Sequence, residues 1–246
     1  MGAIIAITGK AGAGKSTVLS NLACLYAHST ATVGVLSSDL RYSSFPYIFG
    51  GLDEIPAEKT LGMLFGRPDL KDTFTEYKHV PNLFVSAPVP KESCMAYEPP
   101  DEAGILKFLE MLSVAFDFTL IEAGEVRFNQ LSGLACRDAD ILINVVEASL
   151  QGIAWEQSCY ETLHLLRGGK SIINVLNEPH GPSAIKDMEN HIGHSIDLAI
   201  RHSAAVSNSH KKGLPVVIDA NAGFGARRFE KRMTELYSLI GGLMQQ

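Results

Sequence analysis

The chain opens on Ala3-Ile4-Ile5-Ala6-Ile7-Thr8-Gly9-Lys10-Ala11-Gly12-Ala13-Gly14-Lys15-Ser16-Thr17. An apolar, β-branched run passes directly into a glycine-rich loop, and residues 16–27 beyond the loop carry a helical period. The loop satisfies G-x-x-x-x-G-K-[ST] in the strand-to-helix setting that gives this pattern its meaning. Gly9, Gly12 and Gly14 let consecutive backbone N–H groups turn inward around phosphate oxygens, and the helix start adds partial positive charge. Lys15 is spaced to reach β- and γ-phosphates, and the Ser16 hydroxyl to ligate Mg²⁺. A glycine turn that merely joins strand to helix has no need of a lysine and a hydroxyl after its last glycine. The reading is therefore nucleotide binding through Gly9, Lys10, Ala11, Gly12, Ala13, Gly14, Lys15, Ser16 and Thr17.

Working outward, short β-branched runs alternate with longer segments of helical period, the pattern of a parallel sheet covered by helices. Strands are expected at 3–8, 32–36, 83–86, 118–121, 141–146 and 171–176, with weaker ones at 196–200 and 216–218. Several are apolar on both faces, as central parallel strands are. Helices are expected at 16–27, 104–116, 152–166, 183–191 and 204–212, with a last one from Gly223 carrying Phe229, Met233, Leu236, Tyr237, Ile240 and Leu243. The fold class is α/β: one doubly wound, mostly parallel sheet flanked by helices. Residues 41–82 break the alternation and read as an irregular insertion on one rim, holding one short helix near 60–65. With no repeat and no linker, 1–246 reads as a single domain.

Composition bounds the function. The 246 residues are 46% hydrophobic and 20% charged, and 27 acids against 21 bases give a net charge of −6, so no global basic field draws the chain onto nucleic acid or anionic lipid. No apolar run reaches the length of a membrane span, and the apolar start lacks a basic leader, so a cytoplasmic setting is expected. Cys24, Cys94, Cys136 and Cys159 form no C-x-x-C pair and read as reduced, mostly buried thiols rather than zinc ligands.

Lys10 stands five positions before Lys15, and Lys10-Ala11-Gly12-Ala13-Gly14-Lys15-Ser16 resembles the deviant Walker A loop, K-G-G-x-G-K-[ST], of the MinD/ParA group of P-loop ATPases, departing from it at Ala11. The resemblance implies an ATP-dependent homodimer in which the first lysine, here Lys10, crosses the interface to the partner's ATP. The blander alternative for Lys10 is a solvated charge at a loop edge. The resemblance continues at Val33-Gly34-Val35-Leu36-Ser37-Ser38-Asp39, in the place of the second strand and switch I; Ser37 replaces the first aspartate of D-x-D and Asp39 matches the second, which implies a role in positioning the attacking water and the metal's water shell. A turn residue after a strand is the plainer reading of Asp39.

Phe116-Asp117-Phe118-Thr119-Leu120-Ile121-Glu122-Ala123-Gly124 resembles the Walker B strand and switch II, D-x-P-x-G, with Glu122 in the aspartate's place and the proline missing. Glu122 is the expected holder of a Mg²⁺-bound water; its extra methylene shifts the carboxylate by more than about an ångström, which implies slow or partner-stimulated hydrolysis. Asp117 is the second carboxylate, in a place that reads as an exposed turn. Ile172-Ile173-Asn174-Val175-Leu176-Asn177 resembles the strand whose final Asn reads adenine, so Asn177 is the expected base reader, with strand-end capping beside it. In the stretch 196–217 Arg201 takes the place of a proline expected in the base-binding loop.

These features imply an ATP·Mg²⁺-dependent, slowly hydrolysing dimerisation switch that positions a cellular assembly through an unidentified protein partner, with the altered switch II fitting the TadZ/CpaE pilus-assembly branch. The catalytic set is Lys10, Lys15 and Asp39, and the metal set Ser16, Asp39 and Glu122. The tail 227–244 offers weak peripheral membrane contact, against the plainer reading that its apolar stripe packs on the sheet, and recruitment to membrane or cell pole would follow from the former. DNA binding rests on two clusters only, His210-Lys211-Lys212 and Arg227-Arg228-Phe229-Glu230-Lys231-Arg232, and is the lesser expectation. Two other classes remain: a small-molecule kinase with Arg41 and Arg67 as its available arginines, and an iron–sulfur reductase resembling the nitrogenase iron protein, with Cys94 and Cys136 as ligands.

Overall fold

Runs that are apolar on both faces become the middle of a sheet. In the computed structural model, which describes residues 1–50, 70, 73–88, 101–126, 129–168, 170–178 and 183–245, Ile5 and Ile7 face one side and Ile4 and Ala6 the other, and all are buried. They belong to β1 (Ala3–Thr8), which hydrogen-bonds in parallel to β5 (Phe118–Glu122) on one edge and β6 (Ile141–Glu147) on the other. Beyond β5 lie β2 (Val33–Ser37), β4 (Leu83–Ser86) and a two-residue antiparallel strand β3 (Thr75–Glu76); beyond β6 lie β7 (Ile172–Asn177) and β8 (Leu198–Ile200). The eight-stranded order is β3-β4-β2-β5-β1-β6-β7-β8, parallel except for β3. The chain winds outward from β1 in both directions, so the carboxyl end of β1 lies at a topological switch point, where α/β sheets bind their ligands.

One face is covered by α1 (Lys15–His28), α7 (Ala204–His210) and α8 (Ala226–Met244), the other by α3 (Glu102–Ala115), α4 (Gln130–Asp138), α5 (Leu150–Arg167) and α6 (Ser183–Ile192). Side chains of the Asp101, Asn129 and Ser149 caps accept from backbone N–H groups in the first turns of α3, α4 and α5. By contrast α1 begins at Gly14, with φ 99° and no side-chain cap, leaving its first N–H groups to an outside acceptor.

The expected strands are present within a residue or two, with two corrections. Residues 216–218 form a 3₁₀ turn (Val216–Ile218) rather than a strand; Val216 is buried against α1 and α8, and the Val217 N–H is taken by Asn21 Oδ1 at 3.1 Å instead of a sheet neighbour. The second weak strand is shorter than expected, Leu198–Ile200. Helix α4 was not foreseen: it has nine residues, with only Leu131, Leu134, Ala135 and Cys136 as apolar buried positions among polar neighbours. The insertion contributes α2 (Phe45–Ile48), whose Phe45 packs edge-on with Phe49, itself packed against Tyr77, and β3; the short helix expected near 60–65 lies outside the described residues.

Along α8, Phe229, Met233, Leu236 and Ile240 are all buried against the core, while Tyr237 stacks near Tyr26 at 4.7 Å. The apolar stripe is thus occupied by the sheet face and α1, the plainer of the two readings of the tail. No helix among the described residues is long and apolar enough to cross a membrane. Leu236→Ala is expected to lower stability by about 2–5 kcal/mol, read as a shift of the urea midpoint without a change of slope.

Candidate nucleotide-binding site

The glycine loop folds as its spacing requires. Gly9, Gly12 and Gly14 have φ of 142°, 86° and 99°, and a Cβ on Gly9 would lie 2.3 Å from the carbonyl oxygen of Val145, so the loop can leave β1 across the end of β6 only with glycine there. Lys15 is buried and folds back over the loop, donating to the carbonyls of Gly9 (2.9 Å) and Lys10 (3.2 Å). Burial pulls its pKa down, opposed by the charges of Glu122 and Asp39. The Ser16 hydroxyl donates to Glu122 Oε1 at 2.6 Å. Burial pushes Glu122 up, partly opposed by the Ser16 hydrogen bond and by Lys15.

The glutamate therefore reaches the Ser16 hydroxyl: β5 register sets Glu122 opposite Ile7 of β1 and Ser37 of β2, beside the loop. Asp39 lies on the same rim, but Arg41 grips both of its oxygens at 3.1 Å. Asp117 is placed away from the site, accepting from the N–H and hydroxyl of Thr32, which hold its carboxyl below the usual range.

Lys10 is turned back onto its own chain, where its ammonium meets Glu147 Oε2 at 2.6 Å and the Ala11 carbonyl at 3.1 Å. Glu147 ends β6 and also accepts from the Ser149 hydroxyl at 2.7 Å; the Lys10 hydrogen bond foremost holds its carboxyl below the usual range. Asn177 ends β7 and donates from Nδ2 to the Ala13 carbonyl at 2.8 Å, which ties the far side of the loop to the neighbouring strand.

Around Asn177 opens a cavity of about 290 Å³, bounded by Gly12, Thr17, Glu178, Ser203, Val206 and His210. Arg201 and His202 also line it, so the loop that departs from the expected proline does border the base-sized space; Glu178, at φ 57°, pairs with His202 at 2.9 Å. Of the basic clusters, Lys212 is engaged by the buried Asp219 at 2.7 Å and His210 is largely buried, whereas Arg227, Arg228, Lys231 and Arg232 line an open groove next to the cavity.

Sequence reasoning missed the polar web that joins the two switch segments. Ser38 Oγ donates to the Glu122 carbonyl (2.8 Å) and shares a 2.7 Å hydrogen bond with Ser132 Oγ, which also accepts from the Gly124 N–H (2.9 Å). Asn129 Nδ2 donates to the Ser38 carbonyl at 2.6 Å while its Oδ1 caps α4 through the Ser132 N–H. No periodicity reports such contacts between residues some 90 positions apart. Glu147 was missed as a partner of Lys10, 137 positions away, for the same reason; Arg41 lies only two positions from Asp39, and its side-chain conformation decides that contact.

No protein-family model and no curated protein sequence matches the chain. Solved structures do. The septum site-determining protein MinD complexed with Mg-ADP from Pyrococcus horikoshii superposes with a TM-score of 0.76 at 21% identity, covering 98% of both chains. A ParA family ATPase from Chlorobium tepidum gives 0.76 at 18% identity over 96% of this chain and 99% of its own. MinD in the MinC:MinD cell division protein complex of Aquifex aeolicus gives 0.74 at 16% identity, covering 98% and 96%. The chain has the α/β P-loop fold of the MinD/ParA-type ATPases along nearly its whole length.

His210 lines the cavity with its Nε2 buried and unpartnered, and burial lowers its pKa from the ordinary 6.5. Below that value the unfolded chain takes up a proton that the folded chain resists, so stability falls as pH drops through and beneath it. Urea unfolding at pH about 5 and about 7.5 is expected to show this loss, and His210→Gln to diminish it.

Proposed function

We propose that the chain is an ATP-binding, slowly hydrolysing dimerisation switch of the MinD/ParA type that positions a cellular assembly. The observation that carries the reading is the convergence of Lys15, Ser16 and Glu122 at the end of β1, with a second lysine, Lys10, on the loop's rim. The glycine cradle and uncapped start of α1 fit a triphosphate, and the Ser16–Glu122 pair fits Mg²⁺. Bound Mg²⁺ would supply neutralisation of phosphate charge. Residue by residue, Lys15 exchanges the Gly9 and Lys10 carbonyls for phosphate oxygens. Ser16 and Glu122 would hold the metal and its water shell, and Asp39 would orient the attacking water once Arg41 lets go. Asn177 reads the base. Lys10 leaves Glu147 to reach the partner subunit's nucleotide.

Slow turnover is supported by two features: burial draws Glu122 toward its neutral form, and Arg41 occupies both Asp39 oxygens. An unidentified protein partner, a cytoplasmic setting and recruitment to a membrane or cell pole belong to the same proposal. The similar structures support this class, one being a MinD complexed with Mg-ADP and another the MinC:MinD complex. The iron–sulfur reading loses support because Cys136 is wholly buried in the core; Cys94 lies outside the described residues. The kinase reading is weakened by the engagement of Arg41 with Asp39, and Arg67 also lies outside the described residues.

Molar mass by light scattering with ADP, with ATP·Mg²⁺ and with neither, alongside phosphate release, tests the switch. The parent is expected to dimerise only with ATP·Mg²⁺ and to turn over slowly. Lys15→Ala is expected to lose nucleotide binding, and Lys10→Ala to bind ATP yet remain monomeric. A Lys10→Ala protein that dimerises as the parent does overturns the proposal.

A further inference from the structure

On the sheet face opposite α1, under α5, lies a buried carboxylate with no role in the nucleotide site. The Glu156 side chain is only 2% exposed, and among the described residues no lysine or arginine pairs with it. Both of its oxygens share one donor, Asn144 Nδ2, at 3.1 Å, and His194 Nε2 approaches Oε2 at 3.4 Å. Next to it are further acceptors. Asn144 is buried and, among the described residues, its Oδ1 has no partner, while Asn174 Oδ1 has only a 3.5 Å contact from Asn144 Nδ2. His194 Nδ1 is also buried without a partner. Asn144 and Asn174 stand in register on β6 and β7, so the polar row is built into the sheet.

These side chains line a cavity of about 50 Å³. At roughly 10–15 Å³ per water, it admits a few waters or one small polar head group and excludes a nucleotide or sugar. Tyr160 and His164, one and two turns along α5 from Glu156, line it too, their rings stacked at 6.3 Å with 6° between planes; Tyr160 is 57% exposed and stands at the mouth.

A buried carboxylate needs a counter-charge, and unpaired buried acceptors need donors. Among the described residues the His194 ring, 3.4 Å away, is the one potential counter-charge of Glu156, and Asn144 Oδ1 and Asn174 Oδ1 remain short of N–H donors. No trio of His, Cys, Asp or Glu among the described residues is placed to hold a metal ion, which points to a guest that hydrogen-bonds rather than coordinates. We propose that this cavity binds the primary ammonium group of a slender alkyl amine, its three N–H donors meeting Glu156, Asn144 Oδ1 and Asn174 Oδ1 while the alkyl stem leaves between Tyr160 and the α6–β8 turn. The amine is either a free small molecule or the lysine side chain of a partner protein. The site is independent of the nucleotide reading.

The test is a titration of the full chain, followed by the side-chain amide signals of Asn144 and Asn174 and the His194 ring signals in NMR. The probes are n-butylammonium, 1,4-diaminobutane, Nα-acetyl-lysine amide and, as a cation without N–H donors, tetramethylammonium. Butylammonium is expected to give saturable shifts at millimolar concentration or below, tetramethylammonium none. Glu156→Gln is expected to fold and to lose the shifts at least tenfold in affinity; Tyr160→Ala, at an exposed position, is expected to fold and to weaken them several-fold. Binding of acetyl-lysine amide as tight as that of butylammonium points to a partner's lysine, and tighter binding of diaminobutane alone to a free amine. Absence of saturable shifts, equal shifts with tetramethylammonium, or parent-like binding by both variants overturns the proposal and leaves a water-filled cavity.

Discussion

The crossing of Gly9 over the end of β6 is the constraint on which the remainder rests. β1 is bonded on both edges, to β5 and β6, so its carboxyl end opens at the place where the sheet's winding reverses. The chain can leave that end only by passing within contact of the Val145 carbonyl, and there a side chain has no space. Once it has passed, the loop's N–H groups, the bare start of α1, the Ser16 hydroxyl and the Lys15 ammonium are all delivered to one point. The ends of β5, β2, β6 and β7 bring Glu122, Asp39, Glu147 and Asn177 around it.

Each functional group at that point is held by another part of the same chain. Lys15 lies on loop carbonyls, Ser16 on Glu122, Lys10 on Glu147, Asp39 on Arg41 and Asn177 on Ala13. These contacts keep buried donors and acceptors paired, and each offers a group that an anionic ligand and its metal can take over. Exchange of partners, rather than creation of charge, is the energetic character of such a site. The web of Ser38, Gly124, Asn129 and Ser132 means that a displacement at Asp39 is felt at Glu122 and at the start of α4, since all share one set of buried hydrogen bonds.

Much of the fold was legible because parallel strands buried on both faces leave near-continuous apolar runs, and β1 and β4 are such runs. Helix α4 was not legible, because nine residues with few apolar positions carry too little periodicity to stand out from a loop. The 3₁₀ turn Val216–Ile218 was misread for a related reason: Val-Val-Ile has strand composition, and only the docking of Val216 beneath α1 and the Asn21 side chain decide its conformation. In α8 the spacing of Phe229, Met233, Leu236 and Ile240 defined an apolar face, but a stripe of that kind suits a lipid surface as well as a core. The contact with α1 made the choice.

The sequence by itself determined the strand–loop–helix at the amino terminus, the parallel α/β class and most of the residues that surround the loop, since these follow from local spacing and from the backbone freedom of glycine. Tertiary structure alone decided which groups hold one another: Lys10 with Glu147 across 137 positions, Ser16 with Glu122 across 106, and Glu156 with Asn144 beneath α5. Such pairings depend on sheet order and strand register, which set the distance between side chains remote in sequence. Neither is written in any local pattern of residues.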